Sequence, residues 1–198
     1  MAKITANEKL LDAALDLILA QGYAATTVDM ICEKAGVSKG SCYHFFASKE
    51  ELVLAVLTRY YDARLQLLMN GEFANLSDPL ARALGFLDRT EAMSADLWQR
   101  GCLLGTLVND LAMTHPHIRK QISEMFENLI EGLATIFAPF VESLESSDRP
   151  TPRELAEHYL VIIEGSIVLG RAYRDPSRIP HGLRQFKRYL AGAAAGSH

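Results

Sequence analysis

The chain has 198 residues, of which 49% are hydrophobic and 22% charged, with a formal net charge of −4. That length and apolar fraction can bury a substantial core, which argues against a largely disordered chain. No uninterrupted apolar span of about 18 residues is present to cross a membrane, and the acidic balance makes a polybasic nucleic-acid binder implausible.

Period-two alternation of β-branched residues is nearly absent and Gly and Pro are sparse, so the chain reads as all-α with about nine helices. The apolar run 10–19 is broken by Asp12 and Asp16, so it is not a secretory signal. The three cysteines, Cys32, Cys42 and Cys102, form no CxxC and cannot all pair, which argues against a disulfide framework or a zinc site. A cytoplasmic protein with reduced thiols is expected.

In chain order, Asn7 is a suitable N-cap for a first helix with an apolar stripe of Leu10, Leu11, Ala14, Leu17 and Ile18, ended by Gly22. Thr26 or Thr27 caps a second helix with Ile31 and Ala35 inward, and Gly36 allows the reversal that follows. Ser38 caps a very short third helix ending near Phe46. Ser48 and Glu51 make a capping box for a fourth, running to about Met69. After a polar stretch over 70–77, Asp78 and Pro79 open another helix. A long amphipathic helix starts at Pro116, with Pro139 expected to kink it. Thr151 and Glu154 form a second capping box before a helix over 153–173; residues 175–180 break it, and a last helix covers about 182–193.

The stretch AGVSKGSCYHFFASKEEL, residues 35–52, has the parts of a helix-turn-helix: a glycine turn, then a short helix with one packing face and one small, polar face. Val37, Cys42 and one of Phe45 or Phe46 can pack inward. Lys39, Gly40, Ser41, Tyr43 and His44 remain outside. Gly40 lets the backbone approach DNA, Lys39 brings charge, and Tyr43 and His44 can donate to phosphates. Lys49, in the first turn of the next helix, can hold a phosphate together with the open amides there. An αα-corner in an ordinary bundle is the competing reading. Gly40 argues against it, because a helical glycine costs roughly 0.5 to 1 kcal/mol relative to alanine.

Residues 26–52, TTVDMICEKAGVSKGSCYHFFASKEEL, resemble the N-terminal motif of TetR-family transcriptional regulators: a Thr-led helix, an AGVSKG turn, an aromatic run and an S-K-E-x-L helix start. The resemblance implies a three-helix DNA-binding domain over 1–50, linked through a helix at 48–69 to an effector-binding and dimerisation domain over 51–198. It further implies that Thr27 and Lys49 contact the DNA backbone, that Lys39, Gly40 and Ser41 face base edges, that Tyr43 and His44 clamp phosphates, and that Ser38 belongs to the same DNA-binding set. Cys42 departs from the family pattern, which usually has a larger apolar residue there. Over residues 1–56, five lysines face seven acidic residues, a net −2. Affinity then depends on a locally basic face and on pairing two copies on a palindromic double-stranded operator.

The family resemblance also implies a homodimer joined through the last two helices, with Ile162, Ile163, Ser166, Ile167, Gly170, Phe186, Tyr189 and Leu190 as interface candidates, together with Gly165 and Leu169; a fully buried core helix would have a similar composition. It implies an effector pocket in the larger domain, for a small apolar or electrophilic compound, with Phe86, Met93, Trp98, Cys102, Phe126, Tyr159 and Glu164 as candidate walls. RGCLLG, around Cys102, resembles a segment of a family branch in which some members sense electrophiles or oxidants through cysteine. Arg100 and a nearby helix start would favour a thiolate there. A small buried residue between helices would look the same. His115 and His117 flank Pro116 without a third metal ligand and read as helix-start residues. An enzyme using Cys102 with either histidine is disfavoured, because no fixed His–Asp pairing or cofactor loop is evident. The expectation is a repressor with no catalytic residues, metal or cofactor.

Overall fold

A computed structural model of the chain describes residues 5–196. Among them are ten α-helices, one a single turn, and one 3-10 turn: α1 (Ala6–Ala25), α2 (Val28–Ala35), α3 (Lys39–Phe45), α4 (Lys49–Met69), the 3-10 turn Glu72–Asn75, α5 (Pro79–Ala92), α6 (Ser94–Trp98), α7 (Leu103–Leu111), α8 (Pro116–Glu142), α9 (Pro152–Tyr173) and α10 (Arg178–Ala195). The chain is all-helical, as its composition indicates.

Two compact units form, Met1–Ala63 with Cys102–Ser123, and Arg64–Gly101 with Glu124–His198. The units interleave along the chain, unlike the single cut at 50/51 read from the sequence. The difference arises because α7 packs on α1, joining a distant segment to the N-terminal helices.

In the first unit, α1 packs against α2, α3 and α7. Leu10, Ala14 and Ile18 from α1, Ile31 from α2, Cys42 from α3, Leu52 and Leu57 from α4, and Leu103 and Leu107 from α7 are all buried. The first cap is Thr5, two residues earlier than Asn7. Its hydroxyl accepts from the Glu8 amide while Glu8 accepts from the Thr5 amide at 2.8 Å, a reciprocal pair that Asn7 cannot make because Leu10 stands three residues on. Gly22 does not end α1. It interrupts the helix at φ 82°, ψ 169°, and one further turn runs to Ala25.

In the second unit, α10 packs on α9 and α5, and α5 packs on the 3-10 turn and α6. Phe86, Phe137, Tyr159 and Phe186 are fully buried and meet ring to ring at centroid distances of 5.4 to 6.5 Å. Asp78 caps α5 with Pro79 at its start, and Thr151 and Glu154 form the capping box of α9. The last helix begins at Arg178, not Gly182. Pro180 sits in its first turn, where a missing N–H costs nothing. α8 runs through Pro139 to Glu142.

Candidate nucleic-acid interface

Three local signals build the helix-turn-helix. The Thr27 side chain accepts from the Met30 amide and starts α2, Gly36 ends α2 at φ 67°, and the Ser38 side chain accepts from the Ser41 amide and starts α3. Thr26, the other candidate cap, is buried and donates to the Gly22 carbonyl at 2.8 Å. On α3 the inward positions are Cys42 and, just past the helix, Phe46. Phe45 points out, 37% exposed. Val37 and Ala35 are only half-buried, and the inward partner contributed by α2 beside Ile31 is Cys32. Burial first, and then the neighbouring Cys32 thiol, push the Cys42 thiol up to about 11, so it stays protonated near neutrality.

The outward set remains accessible to solvent. Thr27, Ser38, Lys39, Gly40, Tyr43 and His44 are exposed, and Ser41 and Lys49 are half-buried. A Cβ built on Gly40 would meet only the Ser38 Oγ, at 4.0 Å. Nothing inside the chain requires a glycine there. Lys39 pairs with Asp29 at 2.7 Å, which raises its ammonium above the ordinary lysine value. Both partners are largely exposed, so water competes for that pair and an incoming phosphate can replace it cheaply.

Lys49 is engaged more deeply than its position in the sequence suggests. Its Nζ donates to the Tyr23 carbonyl at 2.6 Å and lies 3.7 Å from the centre of the Tyr23 ring. Burial lowers its ammonium below the ordinary value. Tyr23 is further held by its own amide, which donates to Asp110 on α7 at 2.9 Å, and by the edge of His115 at 5.4 Å between ring centres. This node ties α4 to α1 and α7 within the first unit. The His115 Nδ1 also pairs with the Thr114 hydroxyl at 2.8 Å, and the His115 carbonyl accepts from Arg119 at the start of α8.

Cys102 occupies the N-cap position of α7, as the helix-start reading expects, and is 9% exposed. Of the other effector candidates, Phe86 and Tyr159 lie in the aromatic core of the second unit, and burial pushes the Tyr159 phenol up. Met93, Phe126 and Glu164 are half-buried. Trp98 lines a cleft of about 650 Å³ with residues of α6, α9 and the start of α10.

The interface candidates divide into two groups. Ile163, Ile167, Phe186 and Leu190 are buried inside the chain's own core, and Ser166 is buried against α10, where a Cβ on Gly182 would strike its hydroxyl. Ile162 and Gly170 are half-buried, and Tyr189 is exposed. The apolar residues that α9 exposes are instead Val161, Val168, Leu169 and Tyr173, with Gly165 open beside them. Both sides of α9 are apolar, so composition alone does not say which side faces the core.

Among the described residues no helix is long and apolar enough to cross a membrane. The profile of bacterial regulatory proteins of the tetR family matches residues 10–56, and that of the tetracyclin repressor-like C-terminal domain matches residues 79–186. The transcriptional regulator AcuR of Cereibacter sphaeroides is 31% identical over 190 residues, covering 93% of this chain and 85% of the relative. The transcriptional repressor DhaR of a Mycobacterium is 25% identical over 175 residues, covering 88% of this chain and 87% of the relative. A crystal structure of a TetR regulatory protein from Rhodobacter sphaeroides superposes with a TM-score of 0.76 at 30% identity, over 92% of this chain and 97% of the other. With both halves matched and the helix-turn-helix in place, the chain belongs to the TetR family of DNA-binding transcriptional regulators.

Proposed function

We propose that the chain is a homodimeric repressor that inserts α3 of each copy into the major groove of a palindromic operator and is released by a small-molecule effector or by modification of Cys102. The observation that carries the DNA reading is the sorting of α3: Cys42 and Phe46 face the core, while Lys39, Gly40, Tyr43 and His44 face solvent. In this reading Lys39, Gly40 and Ser41 approach base edges, and Tyr43, His44, Thr27 and Ser38 hold phosphates. Lys49 keeps one proton on the Tyr23 carbonyl and has two others for a phosphate.

With few cations per copy, the non-specific phosphate attraction is weak and two copies are needed to hold an operator. Val161, Gly165, Val168 and Leu169 follow i, i+4, i+7, i+8 spacing and form one apolar stripe on α9. Beside it runs a shallow groove of about 310 Å³ reaching His181 and Gln185 of α10. We take this outward stripe, which keeps Gly165 and Leu169 of the sequence reading, as the pairing surface in place of the buried Ile163, Ser166, Ile167, Phe186 and Leu190. An effector that binds the DNA-released geometry about 100-fold better would shift the equilibrium by roughly 2.7 kcal/mol, ample for induction. At Cys102, burial limits attack to small electrophiles reaching the sulfur during local opening.

A gel shift on DNA from upstream of the protein's own coding region tests the reading. Tyr43 is 49% exposed, so Tyr43→Ala should leave the fold intact. Binding should weaken about tenfold, the equivalent of one lost charge-assisted hydrogen bond. Unchanged binding would refute the assignment of α3.

A further inference from the structure

The cleft beside Trp98 has a chemistry that the sequence did not suggest. Its apolar walls come from Trp98 of α6, Ile167 of α9 and Ile179 of α10, and its polar groups include Arg171 and Arg174 at the end of α9. No carboxylate lines it. Asp175, which follows Arg174, accepts from the Ser177 amide and from Arg178 Nε, each at 3.0 Å. The Arg171 guanidinium is steadied over the bare backbone of Gly101, where an added Cβ would lie 3.3 Å from its nitrogen. Arg174 is held in the left-handed region at φ 53° as the cap of α9, the one residue other than glycine with positive φ among those described. Finally, the 18-residue α10 opens on this cleft, because Ser177, Ile179 and Pro180 line it, and Ser177 provides no side-chain cap. Two guanidiniums therefore line a space that also has hydrocarbon walls.

We infer that this cleft binds a small organic anion, a monocarboxylate whose charged end sits on Arg171 and Arg174 and whose hydrocarbon body lies against Trp98, Ile167 and Ile179. The cleft, at about 650 Å³, has ample room for such an anion. The inference rests on the effector reading above and replaces its apolar or electrophilic compound with an anionic class.

Trp98 is the sole tryptophan, so its emission reports occupancy of its own cleft. The full chain is titrated with hexanoate and benzoate, and with hexanamide and benzamide at the same ionic strength. Both acids should change the emission saturably, and the amides should bind about tenfold more weakly or worse. Arg171→Gln and Arg174→Gly should each weaken the acids about tenfold with unchanged helical content; the glycine relieves the left-handed backbone, so the second variant keeps the fold. No saturable change with either acid, equal binding of acids and amides, or indifference to both arginine variants would each overturn the site. Anisotropy of labelled upstream DNA separates the two ideas. Acids that bind without releasing DNA would uphold the site and refute the effector reading. Release by the acids that persists in both arginine variants would remove the site and spare that reading.

Discussion

A Gly40→Ala variant should fold more stably and bind DNA less well. Gly40 is the second residue of α3, exposed, and an added Cβ meets only Ser38 Oγ at the ordinary contact distance of 4.0 Å. Alanine therefore fits, and its lower backbone entropy in the unfolded chain should add about 0.5 to 1 kcal/mol of stability. In a chain of this size that moves the midpoint of thermal unfolding up by roughly 1 to 4 °C. The same methyl group protrudes from the face assigned to DNA. Forcing one carbon into a packed contact costs about 1 to 3 kcal/mol, or roughly fivefold to 150-fold in affinity. Thermal melts and fluorescence anisotropy with labelled upstream DNA at one fixed salt concentration measure the two effects separately. Gly36→Ala is the control: its Cβ meets nothing within 4 Å, but its φ of +67° penalises alanine by about 1 to 2 kcal/mol, so that variant should melt lower. Wild-type DNA affinity in Gly40→Ala would show that the bare backbone of α3 is not held against DNA.

Three further outcomes are expected. Val168 is 61% exposed on α9, so Val168→Glu should fold normally yet sediment as a monomer and lose DNA affinity; a variant that stays dimeric would place the pairing surface elsewhere. Cys102→Ser should stay on DNA when treated with aldehydes, quinones or hypochlorite that release the wild type, and release that survives the substitution would remove the sensor role. Burial works against ionisation of Glu91, but hydrogen bonds from Lys187 and Arg184 outweigh it and hold its carboxyl below the ordinary 4.5. A depressed carboxyl contributes stability that is complete above its unfolded value and is lost as pH falls through the folded one. Denaturant melts from about pH 5 to about pH 3 should therefore fall more steeply for the wild type than for Glu91→Gln, and equal slopes would show that the ion network adds nothing.

Much of the site can be read in the sequence because its parts are local. The caps at Thr27, Ser38, Asp78 and Thr151 are hydrogen bonds across three residues, and each requires only the right side chain at the right offset. The inward position of Cys42 and the outward one of Tyr43 follow from a single helical turn. α6 starts without a side-chain cap and has no helix assigned to it from the sequence; α7, also without one, is foreseen only as a helix start near Cys102.

By itself, then, the sequence determined the helical class, the helix-turn-helix within 26–52, the caps at Ser38, Asp78 and Thr151, and the family. Tertiary structure alone decided that Phe46 rather than Phe45 is inward, that Lys49 serves Tyr23, that Asp110 holds Tyr23 from 87 residues away, and that Val168 rather than Ile163 faces out. The physical reason is the same in each case. A cap is settled within one turn of chain, whereas the choice between two apolar faces, or between two acceptors for one ammonium, depends on which distant helix arrives beside it.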